Sequence, residues 1–457
     1  MHNYTAQIHF FGGTDNVTGA NFLLTYGDKK ILIDCGMIQG SPEQELRNYE
    51  DFPYDPADID VLLVTHAHQD HIGRIPKLVQ DGFAGTIYST AATKEISAVM
   101  LDDAADILAF EATKEGRDPL YEKKYIEQAL ALWKVIPYHN TLEFLPGISM
   151  ILRDAGHVLG SAMIEIHIEG KKILFTGDLG NSPSPLLHDI ENVQDIDYII
   201  MESVYGDRNH GDRTNRSHEL EMVIKETIFN NGVLMIPVFS LERTQEILFE
   251  LNDMVEHKRI PPVPIYLDSP LAERVTRIYE KSTEFFKPET RKIINSGDNV
   301  FDFPGLRISA TKEDSQAIND VAPPKIILAG SGMMNGGRII HHALRYLEDE
   351  KNTLLFVGFQ APGTLGSSIQ SGAGKVRIYR EDVRVRARIH SIPAYSGHAG
   401  ADELVDFVRQ TKDTLRAVYC VMGEPSSSQA LARRIRDELG VYADAPHEGV
   451  VVDIPLK

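Results

Sequence analysis

Short apolar runs, each closed by a polar or glycine-rich turn, set the pattern along most of this chain. Gln7-Ile8-His9-Phe10 alternates polar and apolar, as a strand with one buried face does. Val61-Leu62-Leu63-Val64, Ile173-Leu174-Phe175 and Ile199-Ile200-Met201 are apolar throughout, as strands covered on both faces are. The residues that follow these runs are chemical ones: Asp34 after Lys30–Ile33, His66 after Val61–Val64, His157 after Leu152–Gly156, and Asp178 after Lys172–Gly177. Loops at strand ends are where a rigid scaffold presents functional side chains.

Two segments read differently. From Lys94 to Val135 the apolar positions Ile96, Val99, Met100, Ile126, Leu130 and Trp133 recur at helical spacing, and Gly116 and Pro119 break the segment into two helices that pack on the sheet. Between Asp207 and His390, Asn231–Val238, Pro264–Ser269 and Lys325–Gly332 each read as strand, polar turn, then helix, the rhythm of a parallel α/β sheet. Helix starts after such turns accept anions, which makes Ser240, Arg243, Ser331, Gly332 and Arg338 candidate phosphate contacts. Lys375–Arg388 reads as a hairpin whose second strand places Arg384, Arg386 and Arg388 on one face, with Lys375 and Arg377 near them; Arg384 and Arg386 are candidates to guide a nucleic-acid backbone.

At 457 residues the chain is too long for one ordinary core, and the length implies about two to four domains. A 42% apolar and 25% charged composition is that of a soluble globular protein. No run approaches a membrane span and the first residues carry no signal-peptide pattern, so a membrane partner is not expected. Two cysteines, Cys35 and Cys420, build no disulfide framework, which fits a reducing cytoplasm. The net charge of −20 excludes indiscriminate binding to polyanions, so any nucleic-acid substrate has to be held locally.

The densest chemistry lies in Thr65-His66-Ala67-His68-Gln69-Asp70-His71-Ile72-Gly73, which packs three imidazoles and a carboxylate into six residues. Imidazole nitrogens suit zinc, and a carboxylate beside them completes a ligand set or holds a second ion. His66 and His68 point the same way off an extended strand end, whereas Asp70 and His71 lie past the turn. One run can thus serve two ions.

This run, taken with His157 and Asp178, resembles the metallo-β-lactamase fold. Ile199-Ile200-Met201-Glu202-Ser203-Val204-Tyr205-Gly206-Asp207-Arg208 and Ser391-Ile392-Pro393-Ala394-Tyr395-Ser396-Gly397-His398-Ala399 are similar to motifs of its β-CASP subgroup, which holds nucleases of RNA and DNA. The resemblance implies an α/β fold: an αββα sandwich over 1–207, an inserted α/β domain over 208–390, and completion of the sandwich over 391–457. It also implies a cytoplasmic ribonuclease that cuts single-stranded RNA with two zinc ions through a metal-activated hydroxide, and it leaves room for a homo-oligomer. His66, His68 and His157 would hold one zinc, Asp70 and His71 the other, and Asp178 would bridge them. Asp34 would orient a ligand imidazole. His398, supported by Glu202, would give a proton to the leaving oxygen, so Asp70, Asp178, Glu202 and His398 form the expected catalytic set.

The chain departs from the subgroup in two places. Val421-Met422-Gly423-Glu424 has methionine where RNA-cleaving relatives have a histidine ligand, which weakens the second zinc, since a thioether is too soft a donor for it. Gly400 stands where relatives carry aspartate after His-Ala, with Asp402 out of register, and His447 reads as a surface residue. Two alternatives stay open: a DNA nuclease of the same superfamily, which Met422 favours, and a catalytically weak RNA-binding scaffold, against which six retained ligands speak.

Overall fold

The apolar runs are strands in the computed structural model, which describes residues 5–211, 213–361 and 363–457. The chain divides into two units, one ending at Asn209 and resuming at His398, the other spanning His210–Gly397.

In the first unit two seven-stranded sheets face each other. One runs Val451–Pro455, Thr5–Gly12, Asn21–Tyr26, Lys29–Ile33, Val61–Leu63, Thr86–Ser89, Trp133–Val135; the other runs Ala443–Asp444, Ala417–Val421, Tyr198–Glu202, Lys171–Phe175, Ala162–Ile168, Ile148–Asp154, Leu142–Leu145. Phe10, Phe22 and Ile33 from one sheet meet Ile164, Phe175 and Ile200 from the other in a single core. Strand alternation leaves Leu174, Ile199, Met201 and Val418 on the opposite face of the second sheet. There they are covered by Leu404 and Val408 of helix Ala401–Arg409 and by Leu431 and Ile435 of helix Pro425–Leu439. Helices Ala91–Glu115 and Lys123–Leu132 contact the strands Thr86–Ser89 and Trp133–Val135 of the first sheet. This is the αββα sandwich.

The strand Val61–Leu63 is fully buried between parallel partners, Lys29–Ile33 and Thr86–Ser89. Its exit is therefore rigid, and the histidine-rich run begins there. Lys171–Phe175 and Tyr198–Glu202 are likewise parallel neighbours, and their exits carry Asp178 and place Glu202.

The helical segment starts at Ala91, with Thr90 as its cap, and ends at Gly116, whose φ of 69° is the left-handed conformation a helix terminus favours. Trp133 departs from the helical pattern expected of it. It opens an edge strand parallel to Thr86–Ser89, and its indole Nε1 donates to Ser89 Oγ at 2.8 Å.

The second unit is a six-stranded, all-parallel sheet ordered Leu306–Ile308, Ile265–Asp268, Lys325–Ala329, Val233–Pro237, Thr353–Phe356, Arg388–Ser391. The last strand moves the end of this unit beyond the expected 390, because its residues pair with Thr353–Phe356 and extend the sheet. It also breaks the expected arginine ladder. The hairpin pairs only Lys375–Ile378 with Glu381–Arg384; Arg386 follows it as loop, and Arg388 starts the sheet strand, ion-paired to Glu226 at 2.9 Å. No helix among the described residues is long and apolar enough to cross a membrane.

Candidate metal centre

Four donor atoms converge at the strand exits. His66 Nε2 lies 3.1 Å from His68 Nδ1, His157 Nε2 lies 3.2 Å from His68 Nδ1, and Asp178 Oδ2 lies 3.4 Å from His66 Nε2 and 3.5 Å from His157 Nε2. A tetrahedral ion with bonds of about 2.0–2.1 Å needs donor atoms about 3.3 Å apart, so this set has the size of a zinc site. Asp178 reaches it because Gly177 (φ 55°) passes against Thr65; a side chain at 177 would sit 2.7 Å from Thr65 Cβ.

A second donor set starts from the other oxygen of the same carboxylate. Asp178 Oδ1 lies 3.4 Å from His71 Nε2, and Asp70 Oδ2 lies 3.9 Å from it. Both His71 Nε2 and Asp178 Oδ1 are buried and have no hydrogen-bond partner among the described residues. Buried polar atoms are rarely left so, and a cation between them would satisfy both. The residues fit a two-ion centre, with His66, His68 and His157 on one side, His71 and Asp70 on the other, and Asp178 shared.

Asp34 holds this arrangement from behind. Its Oδ2 accepts from His71 Nδ1 at 2.7 Å and from Thr65 Oγ1 at 2.7 Å, and its Oδ1 accepts from Thr65 N at 2.8 Å. Thr65 Oγ1 in turn lies 3.0 Å from His66 Nδ1. With the Nδ1 protons of His66 and His71 so engaged, their Nε2 lone pairs are turned toward the donor sets. Thr65 was given no role by sequence; the only signal was its place directly before His66.

The electrostatics divide the histidines into two kinds. Burial, together with the neighbouring imidazoles, lowers the pKa of His66, His68 and His157, favouring the neutral form that binds metal. Burial also opposes charge on His71, but Asp178, Asp34 and Asp70 outweigh it and push the pKa well above its ordinary value. Three carboxylates directed at one imidazole mark the second donor set as the place where positive charge is favoured. Asp70 itself is raised by burial, with His71 opposing.

Glu202, fully buried at its strand's end, accepts from Leu179 N at 2.6 Å and pairs with His398 Nδ1 at 3.1 Å. His398 is placed by a bridge to Gly180, and its ring stands 4.8 Å from that of His157. Burial works against charge on His398, but Glu202, Asp178 and Asp70 push its pKa up to about 9. Ligand-type atoms of Asp178, Glu202 and His398 fall within 4.8 Å of one another, which joins this pair to the donor sets.

The expected departures have structural answers. Met422 is buried, and it lines a cavity of about 10 Å³ together with His71, Asp34, Thr65 and Glu202. Its amide donates to Gly13 O at 2.6 Å, and its Sδ lies where a side chain on Gly13 would be, 2.5 Å from that Cβ position. Gly400 caps helix Ala401–Arg409, its amide bonded to Glu403 Oε2 at 2.9 Å, while Asp402 pairs with Asn209 and Arg434. His447 is exposed and pairs with Asp15 at 2.6 Å.

Several candidate phosphate contacts are committed to the interior of the second unit. Arg243 is buried against Glu246, and Arg338 donates to Asp268 and to Ser309 O, each at 2.7 Å. Ser331 and Gly332 do not open a helix. Their turn closes on itself, with Met334 N bonded to Ser331 O and Gly332 packed on Phe239, and the helix begins only at Ile339. Ser240 is half-buried ahead of helix Arg243–Glu256, and Arg384 and Arg386 are exposed.

Comparison with known proteins agrees with this architecture. Family models match for the metallo-beta-lactamase superfamily over residues 15–226, the Beta-Casp domain over 244–369, and a Zn-dependent metallo-hydrolase RNA specificity domain over 382–446. A ribonuclease of Thermus thermophilus is 38% identical over 93% of this chain and 94% of its own length. A transcription termination factor, FttA, of Methanosarcina mazei is 32% identical over 96% of this chain and 70% of its own. A crystal structure of an Enterococcus faecalis protein of unknown function aligns over 98% of this chain and 100% of its own, with a TM-score of 0.57 at 13% identity, which is a likeness of fold.

Proposed function

The chain belongs to the metallo-β-lactamase superfamily, in the group that carries a β-CASP domain, and from that premise we propose that it is a zinc-dependent ribonuclease hydrolysing phosphodiester bonds of single-stranded RNA in the cytoplasm. The carrying observation is the shared carboxylate: Asp178 offers one oxygen to His66 and His157 and the other to His71, whose Nε2 is otherwise an orphan. Bound ions at such paired sets acidify water toward neutral pH and stabilise charge on phosphate oxygens.

The protein's own residues supply the rest. His398, held as imidazolium by Glu202, gives its proton to the departing 3′-oxygen; with Nδ1 tied to Glu202, the exchange runs through Nε2. Glu202 is itself fixed by the amides of Leu179 and Val204, so it orients the ring as well as sustaining its charge. Asp34 and Thr65 keep the His66 and His71 tautomers in the metal-binding form. The RNA preference is supported by the RNA specificity domain match over 382–446 and by the relative that is named as a ribonuclease.

Metal analysis coupled to turnover of matched RNA and DNA oligonucleotides tests this reading. The expected result is up to two zinc ions per chain with the second more weakly held, and faster RNA cleavage. Preferential DNA cleavage overturns the RNA assignment, and full metal loading without cleavage of either identifies a binding scaffold.

A further inference from the structure

The chain carries a strong acidic excess, and many of its arginines are consumed by it: Arg153, Arg216, Arg243, Arg259, Arg338 and Arg434 all pair with carboxylates. The hairpin Lys375–Arg384 of the second unit gathers several basic side chains on one short element. Its register sets Lys375 opposite Arg384 and Arg377 opposite Asp382, so these four side chains share one face, and all four are exposed. Val376, Ile378 and Val383 on the other face are buried in the unit's core, which fixes the basic face outward. Lys375 pairs with Asp382 at 2.8 Å and Arg377 adds a weaker attraction to the same carboxylate, while among the described residues the guanidiniums of Arg380, Arg384 and Arg386 form no ion pair.

The turn joining the strands adds an aromatic ring. Tyr379 stands at the first turn position with φ 53°, a conformation that favours glycine, and is 63% exposed. Its ring lies 5.8 Å from that of His341, itself exposed. Cations spaced about 5–7 Å apart on a pleated surface suit a repeating anion rather than a single one. Together with an exposed ring able to take a base, they match what single-stranded nucleic acid needs: charge along the backbone and a stacking platform.

We propose that this hairpin is a docking site for single-stranded RNA, with the four arginines on successive phosphates and Tyr379 stacking on a base. This rests on the ribonuclease reading, and it extends substrate contact to Tyr379 and Arg380 at the turn. In a protein of net charge −20, such a local patch supplies the attraction that the whole molecule lacks.

The test is equilibrium binding of a fluorescein-labelled single-stranded oligoribonucleotide by the full chain, in EDTA so that cleavage does not compete, over a salt series. Replacing Arg377, Arg380, Arg384 and Arg386 together by alanine is expected to reduce the slope of log affinity against log salt by up to about 3, at roughly 0.7 per phosphate contact. The same four positions as lysine should retain the slope, and Tyr379→Ala should lose about tenfold in affinity at unchanged slope. Because the positions are exposed, melting temperatures should hold. If the fourfold variant unfolds, Arg377→Glu and Arg384→Glu singly must each weaken binding.

Wild-type affinity and slope in the fourfold alanine variant, with RNA still bound and cleaved by the parent, overturn the docking site and leave the nuclease standing. A parent that neither binds nor cleaves RNA overturns both. Equal affinity and salt slope for a labelled polyglutamate peptide would make the patch a generic acidic-partner surface and overturn the RNA assignment.

Discussion

Replacing Thr65 by valine keeps the shape of the side chain and removes one hydroxyl, which makes it a narrow probe of the metal centre. In the structure that hydroxyl donates to Asp34 Oδ2 at 2.7 Å and lies 3.0 Å from His66 Nδ1 and 3.3 Å from His71 Nδ1. Asp34 retains two donors after the change, Thr65 N and His71 Nδ1, so its charge stays compensated. His66 fares worse: the ring is fully buried, and Nδ1 loses its acceptor. Leaving that N–H unpaired costs about 1–3 kcal/mol. Moving the proton to Nε2 escapes that cost only by blocking the nitrogen aimed at the ion. By either route metal affinity falls, by about 10–100-fold as for other residues that orient ligand histidines, or about 1.4–2.8 kcal/mol. Chelator competition for zinc, measured on folded protein, reads the affinity, and a melt of the metal-free chain reads the stability. Thr65→Ser, which restores the hydroxyl, should recover most of the affinity. A valine variant that binds zinc within threefold of the parent would refute the tautomer argument, because then no proton at His66 depends on Thr65.

Four further outcomes are expected. Asp178→Ala removes the carboxylate common to both donor sets, so zinc retention and cleavage should disappear together; retained cleavage would show that the centre is elsewhere. Met422→His places an imidazole in the cavity that His71 lines and should raise zinc per chain toward two with a gain in turnover, whereas unchanged stoichiometry would place residue 422 out of reach of the second set. His398→Gln should lower kcat by about 10²–10⁴ with zinc content unchanged, the span a positioned proton donor supplies; loss of metal instead would make His398 a ligand. Burial pushes the Asp154 carboxyl up from 3.8 to about 7, against the Gly156 amide, so between those values the folded state binds more protons than the unfolded chain and stability falls as pH rises. Asp154→Asn should remove that decline and gain about 1–2 kcal/mol over the parent at pH 8 but not at pH 4, after discounting about 1.36 kcal/mol per unit for partial solvent screening; equal gains at both pH values would refute it.

What could be read from the chain, and what could not, follows from the range over which each signal acts. The histidine-rich run was legible because its residues lie beside one another at the end of a buried strand, so composition and position coincide. The parallel rhythm of the second unit was legible for the same reason: burial imposes a period on each short segment by itself. Trp133 misled because an edge strand of three residues is shorter than the period that would distinguish it from a helix end. Thr65 was invisible because its role is made by Asp34, a partner 31 residues away.

The arginines show the limit most sharply. Arg243 is neutralised by a glutamate three residues on, which a local pattern could have suggested, but Arg338 is taken by Asp268 across 70 residues, which none could. Arg388 looked like the third rung of a ladder until backbone pairing drew it into the sheet and Glu226 neutralised it. A charge pattern counts cations, whereas binding depends on those the fold leaves without an acid. That is why a net charge of −20 and a basic docking face are compatible: pairing removes many arginines from the surface field, and the hairpin, its apolar face held in the core, keeps several of the others together.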